Sequence, residues 1–250
     1  MIKKSIVFSG LLAFLPSVAS ADILTVSAAA KGLTTGGTGY LAEKWDAPLG
    51  AGAELGVELF GLDILGEAYL FGADQYQFSG NLGIDFDLGG DDIRVTPGIF
   101  GGALIYVLPE PSTPSGFDPS TLPPDVQSTI GVDNLAKIST EYQSIAKKEE
   151  AANRTLTALT ARARLTIEYK LLPLIYLGAE GDAGLHYLVS GEAASTNAKK
   201  KMIRQQKAEN PDVPAAAYDS LGDAIGANKS TDINRTGMNF SAGVFVKVEI

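Results

Sequence analysis

The chain has 250 residues, a formal net charge of −9, 45% hydrophobic residues and no cysteine. The acidic balance argues against nucleic acid as a partner. The lack of cysteine excludes both a disulfide framework and a lipid-anchor cysteine. No segment after the N-terminal region has about 18 or more uncharged apolar residues, so transmembrane helices are not predicted.

The N-terminal segment is typical of a secretory signal peptide. Lys3 and Lys4 form a positive start, residues 6–15 form a short apolar run, and Ala19-Ser20-Ala21 is a small-x-small cleavage site. The run is too short to span a bilayer, and Pro16 interrupts it. We therefore expect export, cleavage after Ala21 and a mature domain over residues 22–250.

Alternation of apolar and polar residues predicts the strands of this domain, because successive side chains of a strand point to opposite faces. In the segment 76–88, Tyr76, Phe78, Leu82 and Ile84 share one face, and polar residues lie between them. In the segment 62–73, the sequence does not decide which side chains belong to the apolar face. Eight such segments are predicted, at roughly 23–32, 49–60, 62–73, 76–88, 93–108, 159–170, 175–189 and 238–250.

The apolar faces fit either the core of a soluble sandwich or the lipid-facing side of a membrane barrel. The polar faces favour the barrel, because they are rich in glycine and carry charges of both signs. An eight-stranded barrel is only wide enough for side chains to fill, and charges enclosed there must pair. We predict a lumen charge network of Glu54, Glu58, Asp85, Asp87, Arg94, Arg162, Arg164, Glu168, Glu180, Asp182 and Lys247.

The connections between the strands support the barrel interpretation. The links near 61, 89–91 and 171–172 are short, whereas those near 33–47, 109–154 and 190–234 are long. Outer-membrane barrels have short periplasmic turns and longer outer loops, although the link near 74 is short against this pattern. Aromatic residues are predicted at both rims of the apolar face: Tyr76, Phe78, Tyr187 and Phe240 at the outer rim, and Phe86 and Tyr169 at the inner rim.

We therefore predict an all-β fold: an eight-stranded antiparallel transmembrane β-barrel with long, partly helical extracellular loops. This pattern resembles the small bacterial outer-membrane β-barrels, the OmpA- and OmpW-like group. The ending FSAGVFVKVEI (240–250) resembles their C-terminal assembly signal, although it ends in Ile250 where these proteins usually have an aromatic residue. The resemblance implies a Gram-negative outer membrane, contact with its lipid and lipopolysaccharide, and recognition of segment 240–250 by the barrel assembly machinery.

The long loops contain predicted helices. The proline-dense segment 109–125 is expected to be extended. Segment 133–153 places apolar residues on one helical face, with Asp133 as N-cap. Segments 193–210 and 215–227 are the other predicted helices. They are expected to pack on each other or on the barrel mouth. Alternatively, the cations of the second helix contact lipopolysaccharide; these are Lys199, Lys200, Lys201, Arg204 and Lys207.

Catalytic chemistry is not predicted. The chain has one histidine, His186, and no metal-binding, phosphate-binding or nucleophile motif. No catalytic, cofactor-binding or metal-binding residue is therefore assigned. His186 is expected to face the lumen and to bond a carboxylate.

The predicted function is that of a non-enzymatic, surface-exposed, porin-like outer-membrane barrel with a largely side-chain-filled interior. A structural or adhesive role and the passage of small apolar molecules both fit this interpretation. One alternative is a narrow ion pore lined by Glu54, Glu58, Asp85, Asp87, Arg162 and Arg164. Another is a lipid-modifying enzyme that uses His186.

Overall fold

The computed structural model describes residues 24–45, 48–90, 92–112 and 114–250. The predicted signal peptide, residues 1–21, lies outside the described residues. The strands are β1 (Leu24–Gly37), β2 (Leu49–Leu59), β3 (Leu62–Phe71), β4 (Gln75–Asp85), β5 (Leu88–Gly89), β6 (Ile93–Val107), β7 (Thr155–Leu172), β8 (Ile175–Leu188) and β9 (Thr236–Glu249). The helices are α1 (Tyr40–Lys44), α2 (Pro124–Ile130), α3 (Val132–Ala152), α4 (Ala194–Glu209) and α5 (Ala215–Ile225).

The long strands form a closed antiparallel barrel. Each pairs with its neighbours along the chain, β4 pairs with β6, and β1 pairs with β9 to close the ring. The two-residue strand β5 pairs only with the start of β6, so eight strands make up the wall. The predicted eight-stranded antiparallel barrel is therefore confirmed. Strand β7 is 18 residues long, because it begins four positions before and ends two positions after the predicted segment 159–170.

The alternation sorts the side chains between the lumen and the outer surface. Every long strand exposes at least one large apolar residue on the outside, and Leu82, Leu165 and Val246 are about half exposed there, at 55%, 48% and 46%. In β3, whose facing was ambiguous, Leu62, Ile64 and Leu70 are exposed while Glu67 and Tyr69 are buried. The outer surface is therefore an apolar band around the whole barrel.

Inward-facing glycines make room for aromatic rings on the neighbouring strand. Gly52 lies opposite Tyr69, Gly83 opposite Phe100, and Gly178 opposite Phe245. At each of these glycines a Cβ atom would lie within 3 Å of the partner's ring. The aromatic side chains can lie flat across the wall because glycine has no side chain, and this fills the narrow lumen.

We expect Gly178→Val to lower the free energy of unfolding by about 1–3 kcal/mol, because overpacking of a filled interior is costly. The added Cβ atom would lie 2.3 Å from Phe245 Cζ and 2.8 Å from the carbonyl oxygen of Ile167. Gly181→Val, on the outer face of the same strand, is the matched control, since the nearest atom to its Cβ lies 3.9 Å away. Urea unfolding in lipid vesicles measures both, and equal effects would contradict the space-filling role of Gly178.

The two ends of the barrel differ. At one end, the turn end, short links join β2 to β3 and β7 to β8, and both chain ends of the barrel meet there through the pair Val26–Ile250. At the other, the loop end, connections of 108–154 and 189–235 carry four of the helices. The chain is therefore not strictly all-β. None of the helices among the described residues has the length and apolarity needed to cross a bilayer.

The helices of the two long connections pack together over a core of their own, and we call residues 115–152 and 194–227 the cap. Its centre consists of buried apolar side chains from α2 to α5, including Leu135, Met202, Tyr218 and Leu221. Two expectations for this region were wrong. The helix α2 begins at Pro124 inside the segment predicted to be extended, because proline is well tolerated in the first turn. Gly131 rather than Asp133 is the N-cap of α3, and Asp133 lies in its first turn.

Candidate functional site: the barrel lumen

A belt of ion pairs crosses the middle of the lumen. Lys31 Nζ on β1 lies 2.7 Å from Glu54 Oε2 on β2 and 2.5 Å from Glu180 Oε2 on β8. Arg162 Nη2 on β7 lies 2.6 Å from Glu67 Oε2 on β3. These side chains are almost fully buried. Their ion pairs join β1 to β2 and β8, and β7 to β3, across the lumen.

Arg164 is the centre of the belt. Its Nη1 lies 2.7 Å from Glu54, its Nη2 pairs with Glu67, and its Nε lies 3.1 Å from Asp182. Glu54 and Glu67 are directly opposite each other on neighbouring strands, an arrangement of like charges that is unfavourable without a cation. Arg164 lies between the two and links β7 to β2, β3 and β8, while Lys31 and Arg162 supply the further positive charge.

A cavity of about 210 Å³ lies between the belt and the turn end. Here Arg94 lies 2.8 Å from Glu249, and Lys247 lies 2.6 Å from Glu168 and 2.9 Å from Glu249. Asp87 lies 3.7 Å from Arg94 at the exposed edge. Three further carboxylates, Glu58, Asp63 and Asp85, line this cavity without an ion pair to any described residue, which makes this end of the lumen acidic.

A second cavity, the loop-end cavity, lies on the other side of the belt and has a volume of about 190 Å³. Apolar and aromatic side chains separate it from the loop end. The Trp45 ring, just after α1, packs edge-on against Phe71 and Tyr106, with ring centroids 4.9 and 5.4 Å away. Leu41 and Leu104 belong to the same buried layer, which we call the plug. The lumen is thus crossed by the belt and then by the plug.

Each residue of the predicted lumen network lines one of the two cavities. The structure brings Glu54, Arg162, Arg164, Glu180 and Asp182 into the belt, whereas Arg94, Glu168 and Lys247 form the separate group near the turn end. Glu58 and Asp85 join neither group of ion pairs. The predicted network is therefore divided into two layers, the belt and the group near the turn end. The carboxylates without an ion pair lie beside the second of these layers.

His186 faces the lumen and is only 4% exposed. The expectation that it bonds a carboxylate was wrong, because neither ring nitrogen has a hydrogen-bond partner among the described residues. The nearby carboxylate Asp182 is instead bonded by Arg164 and Ser241. The described residues also contain no cluster of histidine or acidic side chains arranged to hold a metal ion.

The cations of α4 have different surroundings. Lys201 pairs with Glu149 of α3, and Lys207 pairs with Asp219 of α5, so these two side chains connect α4 to its neighbours at the surface of the cap. Partial burial and the neighbouring Lys229 lower the pKa of Lys199. Lys200 and Arg204 make no ion pair with a described residue. Contact of this helix with lipopolysaccharide stays a prediction.

Comparison with known proteins gives structural likenesses but no sequence match. No protein-family profile and no curated protein matches the sequence. The crystal structure of Neisserial surface protein A (NspA) is similar over 90% of this chain and 96% of its own, with 8% identity and a TM-score of 0.41. The outer membrane protease OmpT from Escherichia coli is similar over 92% of this chain and 97% of its own, with 8% identity and a TM-score of 0.31.

The eight-stranded antiparallel architecture expected of small outer-membrane barrels is present in the sheet of this chain. At 8% identity neither protein supports the transfer of a ligand, an activity or a residue role to this chain.

The structure adds site residues that the sequence interpretation missed. Lys31 and Glu67 are both members of the belt, and Trp45 is the central ring of the plug. The parity of β1 contained the signal for Lys31, since it continues the inward series Thr25, Ser27 and Ala29. No periodic pattern marks Trp45, because it lies in a connection.

Proposed function

We propose that this chain is a non-enzymatic protein of the bacterial outer membrane that displays its helical cap at the cell surface and does not conduct ions. The observation that carries the proposal is that the ion pairs around Arg164 and the aromatic contacts around Trp45 form two successive layers in the lumen. A pore of the predicted kind needs a continuous polar path, and we expect the apolar side chains of the plug to interrupt it.

The apolar outer band supports the membrane location. A soluble protein rarely exposes apolar patches larger than a few hundred Å², whereas every long strand here contributes exposed large apolar residues. Several strands have 14 or more residues, longer than the roughly 9–11 that cross a bilayer. The barrel then projects beyond the membrane and lifts the cap away from the lipid.

The cap supports a display role. It has its own apolar core and cross-links such as Lys207–Asp219, so it offers a fixed surface to partners outside the cell. Passage of apolar molecules through the whole lumen is disfavoured, because the charges of the belt lie across the path.

We expect the folded protein to produce no discrete current steps in planar bilayers. Insertion is verified independently by flotation with lipid vesicles and by heat-modifiable gel migration. Regular, cation-selective steps from folded protein would overturn the proposal in favour of the narrow pore.

The enzymatic alternative is tested by mass spectrometry of lipid A from cells with and without the gene, where a mass shift abolished by His186→Ala would contradict the non-enzymatic assignment.

A further inference from the structure

The loop-end cavity has walls suited to an aromatic ring. Tyr69, Tyr106 and Trp45 line it together with Leu33 and Leu104, and all but Trp45 are at least nine-tenths buried. The Trp45 ring is held in place by its edge-on contacts with Phe71 and Tyr106. Aromatic rings favour such edge-on and offset neighbours.

The same cavity is lined by polar atoms that make no hydrogen bond, although Arg162 Nε lies 3.7 Å from Asp182 Oδ1. Among the described residues, no hydrogen bond is made by Thr35 Oγ1, Trp45 Nε1, Arg162 Nε, either ring nitrogen of His186, or Asn239 Oδ1. All of these residues line the loop-end cavity. Buried polar groups are satisfied in the great majority of cases, so unpaired donors and acceptors gathered around one space indicate that a hydrogen-bonding occupant belongs there.

The charged groups at the floor of the cavity are already hydrogen-bonded. Glu67 accepts hydrogen bonds from Arg162 at 2.6 Å and from Asn81 at 3.1 Å, and it also pairs with Arg164. Asp182 accepts from Arg164 at 3.1 Å and from Ser241 at 3.2 Å. A charged occupant would have to compete with these bonds for a counter-charge, and an uncompensated charge is costly to bury. The occupant is therefore neutral.

The volume limits the size of the occupant. An engineered cavity of about 150 Å³ binds benzene, and the loop-end cavity, at about 190 Å³, is somewhat larger. We infer that the loop-end cavity is a binding site for a small neutral molecule with one aromatic ring and a hydrogen-bonding substituent such as an amide or hydroxyl group. The ring lies among Trp45, Tyr69 and Tyr106, and the substituent meets the unpaired atoms of Thr35, His186 and Asn239. This site does not depend on the display role proposed above.

The chain contains a single tryptophan, and its indole lines the cavity, so its fluorescence reports occupancy. We expect titration of the full-length folded protein in detergent with benzamide to change Trp45 emission with a saturating curve. Benzoate has nearly the same shape but carries a charge, and we expect it to bind about tenfold more weakly or worse. Saturation-transfer NMR on benzamide provides a second readout that does not depend on Trp45.

Two substitutions on α1 separate this site from non-specific partitioning. Ala42 lines the cavity, so Ala42→Phe fills it without removing a polar group and is expected to weaken benzamide binding more than about tenfold. Glu43 on the same helix is exposed, and Glu43→Phe is expected to leave binding unchanged. His186→Leu removes two of the unpaired atoms and is expected to weaken benzamide binding about two- to tenfold.

Heat-modifiable gel migration verifies the fold of each variant, and Leu33→Phe fills the same cavity from β1 if Ala42→Phe does not fold. The inference is overturned if folded wild-type protein shows no saturable response in either readout, which would mean that the unpaired atoms are satisfied by water alone. Equal binding to the filled variant, or equal affinity for benzoate, would overturn it as well. None of these outcomes alters the conductance test of the proposed function.

Discussion

Replacing Arg164 with leucine is expected to lower the free energy of unfolding by about 3–5 kcal/mol, the cost of breaking a buried ion pair from one side. Without the Arg164 guanidinium, less positive charge lies between Glu54 and Glu67, which face each other on neighbouring strands. Asp182 then keeps only weaker contacts. Urea unfolding of the protein in lipid vesicles, followed by gel migration, measures the change.

Arg94→Leu is the matched control, because Arg94 also faces the lumen and pairs with carboxylates but its side chain is 22% exposed. Solvent screens such a pair, so a loss of about 1 kcal/mol is expected there. Replacing Glu67 by glutamine in the Arg164→Leu background should recover part of the stability, since one uncompensated charge is removed. If Arg164→Leu cost no more than Arg94→Leu, the belt would not be a main support of the barrel.

Leu221→Ala in α5 is expected to destabilise the cap by about 2–5 kcal/mol, because Leu221 is fully buried and its loss leaves a cavity. The barrel should keep its stability, since the buried core of the cap contains no strand residue. Limited proteolysis of intact vesicles measures opening of the cap, and heat-modifiable migration of the same sample measures the barrel.

Val132→Ala is the control within the cap, because Val132 is 54% exposed at the start of α3 and packs little. Its proteolysis rate should match that of the unsubstituted protein. Loss of heat-modifiable migration in Leu221→Ala would show that cap and barrel fold as one cooperative unit, contrary to this expectation.

The strands could be predicted from the sequence because outward-facing apolar positions alternate with lumen-facing positions. For β3, the inward face could not be predicted, and the reason is physical. Its inward positions include Leu65, Tyr69 and Phe71, which fill the lumen, while Gly66 and Ala68 face outward, so neither face looks polar. The aromatic residues opposite glycine also weaken the contrast that a period-two pattern depends on.

The candidate site could be predicted only in part. Parity along each strand indicates which charges face inward, but partners depend on how far the strands are staggered when the barrel closes. In the closed barrel, Arg164 of β7 reaches Glu54 and Glu67 on the opposite side of the lumen. The loop-end cavity also depends on Trp45, whose position follows from the short helix α1 in a connection and leaves no periodic trace in the sequence.

In the described part of the chain, the cap is connected to the barrel at the ends of β6, β7, β8 and β9, and its apolar core contains no strand residue. Substitutions on the exposed faces of α3, α4 and α5 are therefore expected to change neither the strand register nor the ion pairs of the belt. If the cap is displayed at the cell surface as proposed, agents outside the cell meet those helices first. The surface of the cap can then vary one residue at a time while the wall of the barrel stays the same.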